Sequence, residues 1–104
     1  MSKIETDYSN TIIYTIRCLN PDINELYVGH TTDFAKRKKA HKQCCMNETN
    51  SCKLYTFIRN NGGWDNWDMK IVKFYNCADL SEARQKEQEM YVLLKAKLNS
   101  IEPF

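Results

Sequence analysis

The chain has 104 residues, of which 42% are hydrophobic and 27% charged, so it can bury one core but not two. Three Gly and two Pro exclude collagen-like and proline-rich linker architectures, and no apolar run approaches the roughly 20 residues a membrane helix requires. The net charge of +2 does not point to nucleic acid by itself, but Lys36, Arg37, Lys38, Lys39 and Lys42 put 5 of the 15 basic residues into seven positions. Such a run is either a solvated helix face or a patch for phosphates.

In chain order, residues 1–10 read as a flexible leader, and 11–104 as a single domain. The leader is polar and acidic, unlike a secretory signal, so an intracellular location is expected. Residues 11–18 read as a strand, with Ile12, Tyr14 and Ile16 on one face and Ile13, Thr15 and Arg17 on the other. Asn20-Pro21-Asp22 signals a turn, and residues 26–30 a second strand, which the short connection makes an antiparallel hairpin. Thr32 or Asp33 can cap a helix over about 33–45, on which Phe34, Arg37 and His41 share a side. Leu54, Phe57 and Ile58 mark a short helix that stops at Asn61-Gly62. Residues 67–75 read as a third strand, with Trp67, Met69 and Ile71 on one side and Val72 and Phe74 on the other.

A last helix is expected over about 79–97, started by Asp79 or Ser81, with Leu80, Ala83, Met90, Tyr91, Leu94 and Leu98 as its apolar stripe. Glu87 falls mid-stripe, while Glu82 and Glu89 fall opposite. Burying a carboxylate costs roughly several kcal/mol unless something pairs with it. Glu87 therefore calls for a cation, a metal or a water-filled site, or else sits at a rim from which it reaches solvent. The order β-β-α-α-β-α describes an α/β (α+β) domain, a small three-stranded antiparallel or mixed sheet flanked by helices.

Five cysteines, Cys18, Cys44, Cys45, Cys52 and Cys77, are an odd number without a secretory signal, which argues against a disulfide framework. His41 with Cys44, Cys45 and Cys52 can be imagined as a zinc set, but it lacks the usual separated pairs. Thiols packed as small hydrophobes are the default.

Ile12-Ile13-Tyr14 followed by Tyr27-Val28-Gly29 and Thr31 resembles the paired signature of the GIY-YIG nuclease family. Downstream residues strengthen the resemblance. Arg37 stands ten positions after Tyr27 and His41 one turn later; Glu87 follows Ala83 by four, and the pair Leu98-Asn99 closes the domain twelve residues after Glu87. The resemblance spans about residues 11–100. It departs from the pattern at Ile12, where the family has Gly, and at Val28, where it has Ile.

The resemblance implies a metal-dependent endonuclease acting on duplex or branched DNA. Glu87 would hold Mg²⁺ or Mn²⁺. Tyr14 would be the general base, although a free phenol with a pKa of about 10 is only roughly one part in a thousand ionised at neutral pH. Arg37 would meet the phosphate, His41 would relay the proton, Tyr27 would orient water or phosphate, and Asn99 would support the site. Lys36, Lys38, Lys39 and Lys42 would contact DNA phosphates, with His30 also approaching the DNA. A homodimer or a targeting partner protein would supply specificity. Each residue also has an ordinary alternative: Tyr14 and Tyr27 as sheet-core aromatics, His41 as an exposed helix residue, His30 as a surface side chain, Asn99 as a cap. A non-catalytic DNA-binding module on the same fold and a zinc-stabilised interaction domain are the rival readings.

Overall fold

The N-terminal hairpin forms from two runs rich in β-branched and aromatic residues on either side of the Asn20-Pro21 turn. These are β1 (Thr11–Cys18) and β2 (Leu26–Thr31). In a computed structural model, which describes residues 7–99, they pair antiparallel, with Tyr14 opposite Gly29 and Ile16 opposite Tyr27. β3 (Trp67–Tyr75) pairs antiparallel with the other side of β1, giving the sheet order β2-β1-β3. The sheet is thus wholly antiparallel. With α1 (Phe34–Met46), α2 (Lys53–Asn60) and α3 (Leu80–Leu94) it makes the α+β architecture and element order that the sequence implies. No helix among the described residues is long and apolar enough to cross a membrane. Residues 1–6 of the expected leader, and 100–104 of the expected domain, lie outside the described residues. Residues Tyr8–Asn10 form a 3₁₀ turn whose Tyr8 carbonyl accepts from the Cys77 N–H and the Thr11 hydroxyl.

Central β1 is buried from Thr11 to Ile16. On one face Tyr14 and Ile16 pack with Leu54 and Ile58 of α2 and with Trp67, Met69, Cys45 and Leu98. On the other, Ile13 packs with Leu26, Val28 and Ala96, flanked by Met90, Tyr91 and Leu94 of α3. Each fully buried aliphatic side chain contributes about 1.5–3 kcal/mol, so the hairpin is pinned from both sides.

β3 departs from simple alternation. Ile13 pairs with Lys73 but Tyr14 pairs with Ile71, leaving Val72 as an extra residue in a bulge. Past it the faces exchange, and Phe74 lies opposite Ile12, on the same face as Ile71 and Met69 rather than the opposite one. A single inserted residue inverts every later side chain.

Asp33, not Thr32, caps α1: its carboxylate accepts the Lys36 N–H at 3.1 Å. The helix buries only His41 and Cys45, so little apolar surface holds it down. Part of its anchorage is polar, with Arg59 of α2 donating to the carbonyls of Cys45, Asn47 and Asn50 around the C-terminal end.

α3 is capped by Asp79 and ends at Leu94, three residues before the expected end at 97. Lys95 turns left-handed (φ 52°), its N–H reaching the Val92 carbonyl and the Ala96 N–H that of Tyr91. This is a Schellman stop that stripe periodicity does not reveal. Ala83 and Glu87 are the buried residues of the helix, whereas Leu80, at its first position, is exposed. The chain beyond α3 then wraps the outer edge of β2. Leu98 donates its N–H to the Leu26 carbonyl, and the Asn99 side chain accepts from the Val28 N–H at 3.0 Å and donates to the Val28 carbonyl at 2.8 Å. Pairing this edge removes a template for unwanted strand addition.

Candidate active site

The two tyrosines of the hairpin lie on the face covered by α1 and α2, because Tyr14 is in register with Gly29 and Ile16 with Tyr27. Gly29 is obligatory here for a steric reason. A Cβ built on it would stand 2.5 Å from Tyr14 Cζ and 2.9 Å from Tyr27 Cε2. The close backbone approach is therefore at the second motif. At the first, Ile12 replaces the expected Gly and sits between Thr31 and Phe74 in the ladder.

α1 brings Arg37 and His41, one turn apart, onto Tyr14. His41 Nε2 lies 2.7 Å from Tyr14 Oη, and Arg37 Nε donates to the same oxygen at 3.4 Å. Phe34 meets the Tyr14 ring edge-on with centroids 6.2 Å apart, and Tyr27 lies 5.6 Å from the His41 ring. Both Tyr14 and His41 are buried. Burial raises the Tyr14 phenol well above its ordinary range, with Tyr27 and Glu87 adding to the effect and Arg37 opposing it. The proximity of Arg37 thus falls short of offsetting desolvation, and Tyr14 is a neutral phenol at pH 7 in the free fold. Burial, then Arg37, lowers the His41 pKa to about 4, so its imidazole is neutral as well. Tyr27 is raised by burial and by Glu87.

Glu87 comes from α3 and meets the other face of the hairpin. His30, in register with Ile13, places Nδ1 2.7 Å from Glu87 Oε1, with side chains 19% and 11% exposed. His30, expected near DNA, is thus the immediate partner of the mid-stripe carboxylate. Arg37 and His30 line one open cleft of about 310 Å³ together with Tyr8, Thr31 and Thr32. The cleft is lined by a partner of each centre: Arg37, which donates to Tyr14, and His30, which pairs with Glu87. Asn99 is set back from the cleft, holding the backbone of Val28.

Among the described residues, no three His, Cys, Asp or Glu side chains gather into a ready metal cage. The imagined zinc set is not assembled, since both ring nitrogens of His41 are taken by Tyr14 and Tyr55. Glu87, hydrogen-bonded to the cleft residue His30, offers a carboxylate next to it. One such oxygen suits a hard cation that keeps water and phosphate oxygens in its remaining positions.

The basic run divides. Lys36 joins Arg37 in a recess with Asn10, Thr31, Thr32 and Asp33. Lys42 lies in a separate recess beside Cys45, Met46 and Arg59, while Lys38 and Lys39 are exposed on the helix. Sequence reasoning missed Tyr55 and Tyr8. Tyr55 Oη sits 2.9 Å from His41 Nδ1. It neighbours the core residue Leu54, and only the packing of α2 on α1 brings it to the site. Tyr8 lies in the segment read as a leader.

Neither the curated proteins nor the solved structures yield a match to this chain. The model of the GIY-YIG catalytic domain, however, matches residues 10–99, a stretch that holds both tyrosines, Arg37, His41, Glu87 and Asn99. The chain therefore belongs to the GIY-YIG family, a family of nucleases.

Proposed function

We propose that the protein is a divalent-metal-dependent endonuclease that hydrolyses DNA phosphodiester bonds. The observation that supports this most is one cleft lined by both Arg37, which donates to Tyr14, and His30, which is bonded to Glu87. A phosphate entering it meets the forked, permanently charged guanidinium of Arg37, which suits the charge that develops on the phosphoryl oxygens. Glu87 holds Mg²⁺ or Mn²⁺, which when bound supplies charge stabilisation to the phosphate and leaving oxygen.

Tyr14 is the general base. Held as a phenol by its burial, it must first lose its proton, and His41 Nε2 is positioned to accept it. The resulting phenolate lies between the guanidinium and the imidazolium, two cations that offset its desolvation. Tyr27 orients water or phosphate beside it, and Asn99 holds the strand that carries Tyr27 and Gly29. Of the lysines offered to the DNA backbone, Lys36, Lys38, Lys39 and Lys42, Lys36 shares the recess of Arg37 and contributes most. One such site cuts one strand at a time, so a double-strand break takes a homodimer or two encounters.

The test is incubation of plasmid and branched DNA with Mg²⁺ or Mn²⁺. Wild type nicks or cuts, and Glu87→Ala does not. Equal activity in both proteins, or none in wild type, sinks the proposal. The rival, a DNA-binding module without catalysis, is favoured by the Glu87 carboxylate being already hydrogen-bonded to His30. It expects salt-dependent binding with no metal requirement and no strand breaks.

A further inference from the structure

His41 makes two hydrogen bonds, and only one of them serves the chemistry proposed above. A neutral imidazole has one N–H and one lone pair. It can take the Tyr14 proton at Nε2 only while Nδ1 carries the hydrogen. In the other tautomer His41 donates to Tyr14 and has nothing with which to remove its proton. What faces Nδ1 therefore decides whether the pair can work.

That group is the hydroxyl of Tyr55, half-buried on α2 and 2.9 Å from Nδ1. His41 Nε2 stands 2.7 Å from Tyr14 Oη and Nδ1 2.9 Å from Tyr55 Oη, and each hydroxyl can donate or accept. The surroundings are not symmetric. Arg37 can only donate, and it donates to Tyr14 Oη, leaving the Tyr14 proton to point elsewhere.

We propose that Tyr55 is a positioning residue that holds His41 in its Nδ1–H tautomer, so that the Nε2 lone pair faces the Tyr14 hydroxyl. Tyr55 does not line the cleft and hydrogen-bonds His41; it acts through His41. As the proton passes from Tyr14 oxygen to Nε2, the Nδ1–H bond to Tyr55 strengthens and stabilises the imidazolium; the phenolate takes the proton of the attacking water, releases it to solvent, and recovers its own from Nε2 at the end of the cycle. The proposal rests on the nuclease reading for its catalytic consequence but not for the tautomer itself.

The experiment reads the two separately. Nitrogen-15 NMR of the free, folded protein at pH 7 reports which ring nitrogen of His41 is protonated, with no metal or DNA present. Wild type is expected to show a protonated Nδ1 and an unprotonated Nε2. Tyr55→Phe keeps the ring and removes the acceptor. It is expected to move the proton toward Nε2 and to lower kcat on plasmid DNA by roughly 10- to 100-fold, as loss of an outer orienting partner does, with KM unchanged. An Nε2–H tautomer in wild type overturns the proposal even if the variant does not fold. So does an unmoved tautomer in folded Tyr55→Phe, or a full kcat once the tautomer has moved. If wild type cuts no DNA while the tautomer still responds to Tyr55, the nuclease reading fails and the assignment of Tyr55 to His41 stands.

Discussion

The two halves of the site are built to opposite specifications. On the α1 side Tyr14 and His41 are 0% and 1% exposed, neutral, and locked between Arg37 and Tyr55. On the α3 side Glu87 is 9% exposed and hydrogen-bonds His30, which lines an open cleft. A buried polar atom that loses its partner carries the full desolvation cost, about 1–3 kcal/mol, whereas a group near water recovers its hydration. The first half is therefore closed on itself, while the second keeps one member, His30, open to the cleft.

The sharpest way to break this contrast is to remove one polar function from each half. Tyr14→Phe strands His41 Nε2 in the core. It should lower unfolding free energy by about 1–3 kcal/mol and cut the cleavage rate by roughly 10²–10⁴-fold, the range for a lost general base. Glu87→Gln should lose activity at least as severely while moving stability by about 1 kcal/mol or less, because the amide oxygen can still accept from His30. Urea melts beside plasmid-nicking rates decide it. Equal destabilisation of the two variants would mean that the halves are not different in kind.

A smaller effect follows from pH. The folded pKa of His41 is about 4 against the ordinary 6.5, so between those values the unfolded chain binds a proton that the fold does not. Stability attributable to His41 is thus complete above pH 6.5 and lost as pH falls toward 4, by up to about 3 kcal/mol. Melts in that window should show wild type losing stability and His41→Gln losing less. The Glu87→Gln variant should retain the wild-type slope from His41. An identical slope in His41→Gln would show that the imidazole does not pay for its burial by staying neutral.

The contrast also explains what the sequence could and could not reveal. The hairpin, its antiparallel pairing and the burial of Tyr14 and Ile16 on one face follow from period-two patterning and a short turn. Mid-stripe Glu87 was legible because a carboxylate at a buried helix position demands a partner, but the sequence could not say that the partner is His30. That contact depends on β2 register against α3, which no local pattern encodes. Tyr55 was invisible for the same reason. The reversal of Phe74 at the Val72 bulge and the left-handed stop at Lys95 escaped because each turns on one residue's backbone geometry, and neither position carries the glycine that would have announced it. Arg37 does favour the Tyr14 phenolate, but a hydroxyl on the central strand loses more to desolvation than one neighbouring cation returns, and the depth of that burial is set by packing rather than by any local pattern.

The smallest expected effect concerns the lysines, and it tests whether the cleft joining the two halves is where DNA lies. All four sit on α1, so composition treats them alike. Lys36 shares a recess with Arg37, whereas Lys38 is two residues beyond Lys36, about 200° around the helix at 100° per residue, and so projects from the opposite side. A lysine that neutralises one phosphate steepens the dependence of log K on log salt by about 0.9 for duplex DNA. Lys36→Gln should therefore reduce that slope by about one and weaken binding similarly for all sequences, while Lys38→Gln should change it by much less. Binding isotherms at several salt concentrations, with Ca²⁺ in place of the catalytic metal, measure both. Equal slopes for the two variants would mean that DNA approaches α1 from outside the cleft, placing the phosphate away from Arg37 and uncoupling the two centres that the proposed chemistry requires to act on one scissile bond.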